Sequence, residues 1–163
     1  NLMKSPTVQL EFVDNDAPRS DLVSAMYRCL ADTIVFYFKA HGYHWNVEGP
    51  NFGPFHTFFE SIYSEVYGTI DKMAEETRTL NAFAPYTLAG FQKYRTIPDT
   101  PLEQPDPMLM IKDLDASNAM LLDSLNTAEE LATKTATKGL SNYLQDRIDA
   151  HEKHGWQLAA FLK

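Results

Sequence analysis

Two long apolar stripes at helical spacing, separated by a turn only a few residues long, constrain this chain more than anything else in it. The first runs over about residues 20–47, with Leu22, Met26, Leu30, Ile34, Phe38, His41 and Trp45 at three- and four-residue steps. Gly49 and Pro50 end it, in the order expected after a helix. Asn51 is placed to cap a second helix over about 52–80, whose stripe is Phe55, Phe59, Ile62, Val66, Ile70, Met73, Thr77 and Leu80. Pro98, Pro101 and Pro105 then interrupt any periodicity, and the connection from 81 to 105 is long for a compact domain. The segment TLAGFQKY (87–94) suits a short helix inside it. Asp106 followed by Pro107 is a cap and a first-turn proline. They open a third long helix ending near Thr133, with Ile111, Leu114, Leu121, Leu125 and Ala128 facing in. Gly139 is assigned to the last short loop. The final helix carries Leu144, Ile148, His151, Gly155, Leu158 and Leu162 inward. Short loops make the first two and the last two helices antiparallel. The long connection lets the third run parallel to the second, giving an all-α four-helix bundle with one long crossover carrying a short extra helix.

The 163 residues argue for one such domain over 20–163, preceded by an extended arm over 1–19. With 44% apolar and 12% aromatic residues, the composition excludes a disordered chain. A net charge of −8 argues against broad attraction to nucleic acid or anionic membrane. No run of 18 apolar residues exists, so no transmembrane helix is expected, and the start lacks a charged-then-apolar signal pattern. Cys29, the lone cysteine, sits in an apolar pattern and reads as a small core residue in a reducing compartment, which is consistent with the cytoplasm.

The chemistry lies on the second helix. With His56 at 0° and 100° per residue, Glu60 falls at about 40°, Asp71 at about 60° and Glu75 at about 100°. The apolar stripe centres at about −85°, so the polar residues form a stripe of their own beside the core. The pairs 56/60 and 71/75 are i,i+4 neighbours able to touch one ligand. His44 ends the first helix, and a tight hairpin brings it to His56 and Glu60. Yet Glu60 and Asp71 lie about 16 Å apart along the axis, whereas metal–ligand bonds are about 2.0–2.2 Å. One chain cannot close both pairs on one small centre. Two antiparallel copies of the second helix can: His44, His56 and Glu60 of one subunit then meet Asp71 and Glu75 of the other, twice per dimer. Ser64 and Gly68 are small enough to let those helices approach. Two imidazoles with three carboxylates suit Fe(II), Mn(II) or Zn(II), and not Cu(I).

Blander readings stand beside this one. A carboxylate on a helix face is usually only solvated. His41, one turn before His44, is either a group behind the ligands or a satisfied structural histidine. His151 lies on the apolar face of its helix and reads as core; His154 reads as surface. Trp45 reads as packing, or else as a quencher of an oxidising radical near the metal, and Tyr37, Tyr43, Tyr63 and Tyr67 carry the same two readings.

The run HWNVEGPNFGPFH, followed by Glu60, Asp71 and Glu75, resembles the signature of the Dps-type mini-ferritins of the ferritin-like superfamily. That pattern is His, eleven residues, His, three, Asp, ten, Asp, three, Glu, and every spacing is kept here. Glu60 stands where the family usually has Asp. The resemblance covers about residues 20–162. Typical ferritins and bacterioferritins fit less well: they use Glu-x-x-His motifs, and no histidine here has an acid three residues before it. The resemblance implies a dodecameric hollow shell built from twofold dimers. It implies ferroxidase activity at inter-subunit centres formed by His44, His56, Glu60, Asp71 and Glu75, oxidation of Fe(II) by hydrogen peroxide or O2, storage of ferric mineral and protection against oxidative damage. Zn or Mn suits the same ligands. Family members that bind DNA often use a lysine-rich tail; the arm offers Lys4 and Arg19 against Glu11, Asp14, Asp16 and Asp21, so DNA binding is disfavoured. The segment ATKTATKGLSN (132–142) also lacks the acids that line the family's threefold pore.

Overall fold

A computed structural model describes residues 20–99 and 106–163; the expected arm over 1–19 lies outside them. Five helices follow in order: α1 (Asp21–Asn46), α2 (Phe52–Thr79), α3 (Leu88–Tyr94), α4 (Pro107–Lys134) and α5 (Lys138–Phe161), with no strand among the described residues. Local chemistry sets their ends. The Ser20 hydroxyl accepts from the Val23 amide, and the Asp106 carboxylate accepts from the Met108 amide ahead of a first-turn proline. Gly49 turns the chain between α1 and α2 at φ +116°, a conformation that favours glycine. Asn51 holds the N-cap position of α2, but its side chain makes no capping bond; the Asn51 carbonyl accepts from the Phe55 amide instead.

Cross-helix pairs fix the directions. His44 with His56, and Thr33 with Met73, make α1 and α2 antiparallel. Glu65 with Arg147, and Phe58 with Phe161, make α2 and α5 antiparallel. Asn118 with His151, and Glu129 with Ser141, do the same for α4 and α5. Since α2 and α4 both oppose α5, they run parallel, and the crossover between them carries α3. Phe36, Phe59, Met26, Ile62, Leu114, Leu121 and Leu125 fill the centre of the bundle. The crossover is tied down by Asp32, fully buried in α1. Its carboxylate accepts from the Thr96 amide (2.7 Å) and hydroxyl (2.7 Å), the Ile97 amide (3.0 Å) and the Ser124 hydroxyl of α4 (2.7 Å). Cys29 is buried, its thiol directed at the Ser124 carbonyl and pushed up to about 12 by burial.

Three expectations are corrected. Phe38 and Trp45 leave the buried stripe of α1, at 54% and 66% exposure, while Lys39 and Tyr43 are buried. A strict four-residue step drifts about 40° per step, so the series Leu22, Met26, Leu30, Ile34, Phe38 turns about 160° away from where it began. Gly139 is inside α5; the last turn is Thr135–Thr137, with Ala136 at φ 54°. His154 is buried, because α5 turns Arg147, His151 and His154 together toward α2 and α4.

Candidate metal centre

The turn between α1 and α2 lays the His44 and His56 rings face to face, with centroids 3.6 Å apart and planes inclined by 17°. Each holds the other's backbone. His44 Nδ1 lies 2.8 Å from the His56 carbonyl, and His56 Nδ1 lies 2.7 Å from the His44 carbonyl. A carbonyl only accepts, so both Nδ1 atoms carry the proton and both Nε2 atoms keep their lone pair in the neutral ring. The His44 carbonyl is one of the four that end α1 without an intrahelical partner, so His56 also closes that helix end. Phe52 stacks on the outer face of His56 at 4.8 Å, and Tyr63 meets His44 edge-on at 5.0 Å.

Glu60 follows His56 by one turn and is exposed, as are Asp71 and Glu75 farther along α2. Asp71 and Glu75 touch. A hydrogen bond with Asp71, and then Asp71's negative charge, raise the Glu75 carboxyl above its usual value. Such crowding is relieved by one shared proton or by a cation. Among the described residues, no three His, Cys, Asp or Glu side chains of one chain converge to hold a metal ion. The structure thus joins His44 of α1 to His56 of α2 at the turn between them, joins Asp71 to Glu75 farther along α2, and leaves the two pairs apart.

Sequence reasoning missed a second polar cluster, built on Glu65, about 180° around α2 from His56. Arg147 Nη1 and Nη2 meet the Glu65 carboxylate at 2.6 and 2.9 Å, and His154 Nε2 meets it at 2.8 Å. Arg147 also donates to His151 Nε2 at 3.2 Å, which leaves the proton on Nδ1 to donate to Asn118 Oδ1 at 2.8 Å. Burial would raise the Glu65 carboxyl, but the bonds from His154 and Arg147 and their charges hold it well below the carboxylate range. Burial, then the charges of Arg147 and His154, keep His151 neutral well below its usual value. The available signal was the helical spacing of Arg147, His151, His154 and Leu158.

A ferritin-like domain matches residues 23–163. A DNA protection during starvation protein of Brevibacillus brevis is 33% identical over 137 residues, covering 83% of this chain and 91% of that one. The chain belongs to the ferritin-like family, among the Dps-type mini-ferritins. The solved Dps of Vibrio cholerae O1, described as a member of a broad superfamily of ferritin-like diiron-carboxylate proteins, superposes with a TM-score of 0.81 at 33% identity, over 87% of this chain and 89% of that one. The Dps of Thermosynechococcus elongatus gives 0.83 at 27% identity, over 87% and 90%. The expected all-α bundle with a short crossover helix is thereby established. No helix among the described residues is long and apolar enough to cross a membrane.

Proposed function

We propose that this mini-ferritin is a cytoplasmic ferroxidase that oxidises Fe(II) at centres shared between two copies of the chain and stores the ferric product inside a dodecameric shell. One observation carries the reading: the reciprocal Nδ1–carbonyl bonds of His44 and His56, which leave two Nε2 lone pairs side by side. Histidine ligands with the other ring nitrogen already committed bind metal in a fixed orientation. Glu60 adds a carboxylate one turn away. Asp71 and Glu75 of the partner complete the set across a twofold axis, and the cation they receive relieves their crowding. Fe(II) is the substrate, and Zn(II) or Mn(II) suits the same donors. Hydrogen peroxide is the preferred oxidant: two Fe(II) give it two electrons together, yielding two Fe(III) and two hydroxides with no radical released. O2 is the alternative oxidant. The relatives' names speak of DNA protection, but a charge of −8 disfavours DNA as a direct ligand, so protection comes from consuming iron and peroxide.

The test adds Fe(II) anaerobically and then peroxide, and follows the ultraviolet absorbance of the ferric product. His44→Ala and His56→Ala are each expected to slow oxidation by about 10–100-fold, while light scattering gives the assembly. Unchanged rates in both variants would overturn the reading, as would a strict monomer that oxidises iron normally. A clear gel shift at low salt would favour a nucleoid-binding role instead.

A further inference from the structure

The clamp that ties α2 to α5 is made of the donor types that hold transition metals, gathered around a guanidinium. Arg147 Nη2 lies 2.9 Å from Glu65 Oε1 and 3.2 Å from His151 Nε2, and Nη1 lies 2.6 Å from Glu65 Oε2. His154 Nε2 lies 2.8 Å from the same Glu65 Oε1. Arg147, His151 and His154 are buried, whereas the Glu65 side chain keeps 38% of its surface and opens the cluster to solvent. Two imidazoles and one carboxylate, with water as a fourth ligand, are a common four-coordinate zinc set.

The surroundings suit those donors. His151 Nδ1 donates to Asn118 Oδ1 at 2.8 Å, and Asn118 Nδ2 donates to the His151 carbonyl at 2.9 Å. These bonds turn the His151 Nε2 lone pair toward the guanidinium, as hydrogen bonds behind a ligating histidine do. Gly155 makes room for Asn118: a Cβ there would come within 3.0 Å of Asn118 Nδ2. His154 Nδ1 is buried with no hydrogen-bond partner among the described residues. The ring can therefore move its proton from Nε2 to Nδ1 without breaking a bond at Nδ1, which frees Nε2 for a metal. With Arg147 present the donors stand at hydrogen-bond distance from nitrogen, about 1 Å beyond a metal bond, and no three converge on one point.

We propose that Arg147 determines where this chain binds metal: its guanidinium fills a latent site inside the bundle, made by Glu65, His151 and His154, and so restricts metal to the outer face of α2. The inner site stands on its own distances; only the contrast with the outer face rests on the proposed ferroxidase reading. The choice of arginine matters. A lysine or a third histidine in its place could give up a proton and admit a metal. A guanidinium stays charged throughout the pH range of a folded protein, and a second cation about 3 Å from it in a buried site is strongly repelled. An ion held at the inner site would lie about 180° around α2 from His56 and take no part in the shared centre.

Removing the guanidinium and offering a metal tests this. The assembled, iron-free protein is titrated with Co(II) under argon, and the visible bands are followed; they are intense for four-coordinate cobalt and weak for six-coordinate. Arg147→Ala is expected to take one more Co(II) per chain than the parent, with new intense bands. The added ion should survive replacement of both His44 and His56 by alanine, which removes the imidazoles of the outer site. It should vanish in Arg147→Ala/Glu65→Gln and in Arg147→Ala/His151→Gln. Because Arg147→Ala unpairs a half-buried carboxylate, stability is read as well, in the His44→Ala/His56→Ala background. Co(II) at about 100 times its Kd should raise Tm by about 5–10 °C, and Mg(II) should not. If the variant does not fold without metal, Co(II) should restore its helical signal. No added ion, with no gain in Tm or recovery of fold, would overturn the proposal. So would an added ion indifferent to Glu65→Gln and His151→Gln, or intense bands in the His44→Ala/His56→Ala background with Arg147 intact. A parent protein that oxidises no iron would overturn the ferroxidase reading and leave this result standing.

Discussion

Replacing Glu65 by leucine removes the partner of a guanidinium that the fold has sealed in. The Arg147 side chain is 7% exposed, and the Glu65 carboxylate is its bidentate partner. The same change strips His154 Nε2 of its acceptor, while His154 Nδ1 and Arg147 Nε already have no hydrogen-bond partner among the described residues. Breaking a buried pair from one side costs about 3–5 kcal/mol. The Glu65 side chain keeps 38% of its surface, so water replaces part of the loss, and about 2–3 kcal/mol is expected. For a chain of this size that corresponds to a fall in Tm of about 4–12 °C. The measurement is thermal unfolding by circular dichroism at one protomer concentration, since association shifts Tm by mass action. The double change Glu65→Leu/Arg147→Met removes both charges and fills similar volume. It should return to within about 1 kcal/mol of the parent, because apolar replacement of a buried pair is often neutral or better. A Glu65→Leu cost below about 0.5 kcal/mol would refute the reasoning, given that removal of a buried partner is costly. So would a double variant as unstable as the sum of its singles.

Two further outcomes follow from buried groups. His151 is kept neutral in the folded chain, with its folded value well below the usual one, whereas the unfolded chain protonates it near pH ~6.5. Below about pH 6.5 the unfolded state therefore binds a proton that the folded state does not, and stability falls as pH falls. Glu65, depressed in the folded state, adds a loss in the same direction below the ordinary carboxylate range. A Tm that stays flat from pH 8 to pH 5, or declines equally in His151→Gln, would contradict the assignment. Asp32→Ala leaves the Thr96 and Ile97 amides without their acceptor. It should cost about 3 kcal/mol or more, and hydrogen exchange should show the crossover amides losing protection before α1 does; unchanged exchange at Thr96 and Ile97 would count against the tie.

What the sequence disclosed depended on the range of the interaction. Ser20, Gly49, Asp106 and Pro107 act within a few residues, so the helix bounds and the topology were legible. The drift of a four-residue step was enough to misplace Phe38 and Trp45. Lys39 was hidden for another reason: its partners Asp113 and Ser117, each at 3.0 Å, lie on α4, and no local pattern links positions so far apart. His44 and His56 were legible as a pair because a hairpin joins them, but not the reciprocal bonds that fix their tautomers. His154 was misread because a polar residue on an amphipathic helix is usually solvated, and its reason for burial, Glu65, lies on another helix.

Glu65 also explains why α2 divides its acids between two tasks. It sits about 180° around the helix from His56, whereas Glu60, Asp71 and Glu75 lie within about 100° of His56. On the inward side the carboxylate meets a guanidinium and an imidazole from its own chain, and its charge is settled before any partner arrives. On the outward side Asp71 and Glu75 press on one another and hold Glu75 above its usual value. Carboxylates matched inside the chain create no demand for a metal; carboxylates crowded together do. The same residue types, at different angles on one helix, thus separate a clamp that ties α2 to α5 from the exposed, crowded pair to which the proposed function assigns a cation.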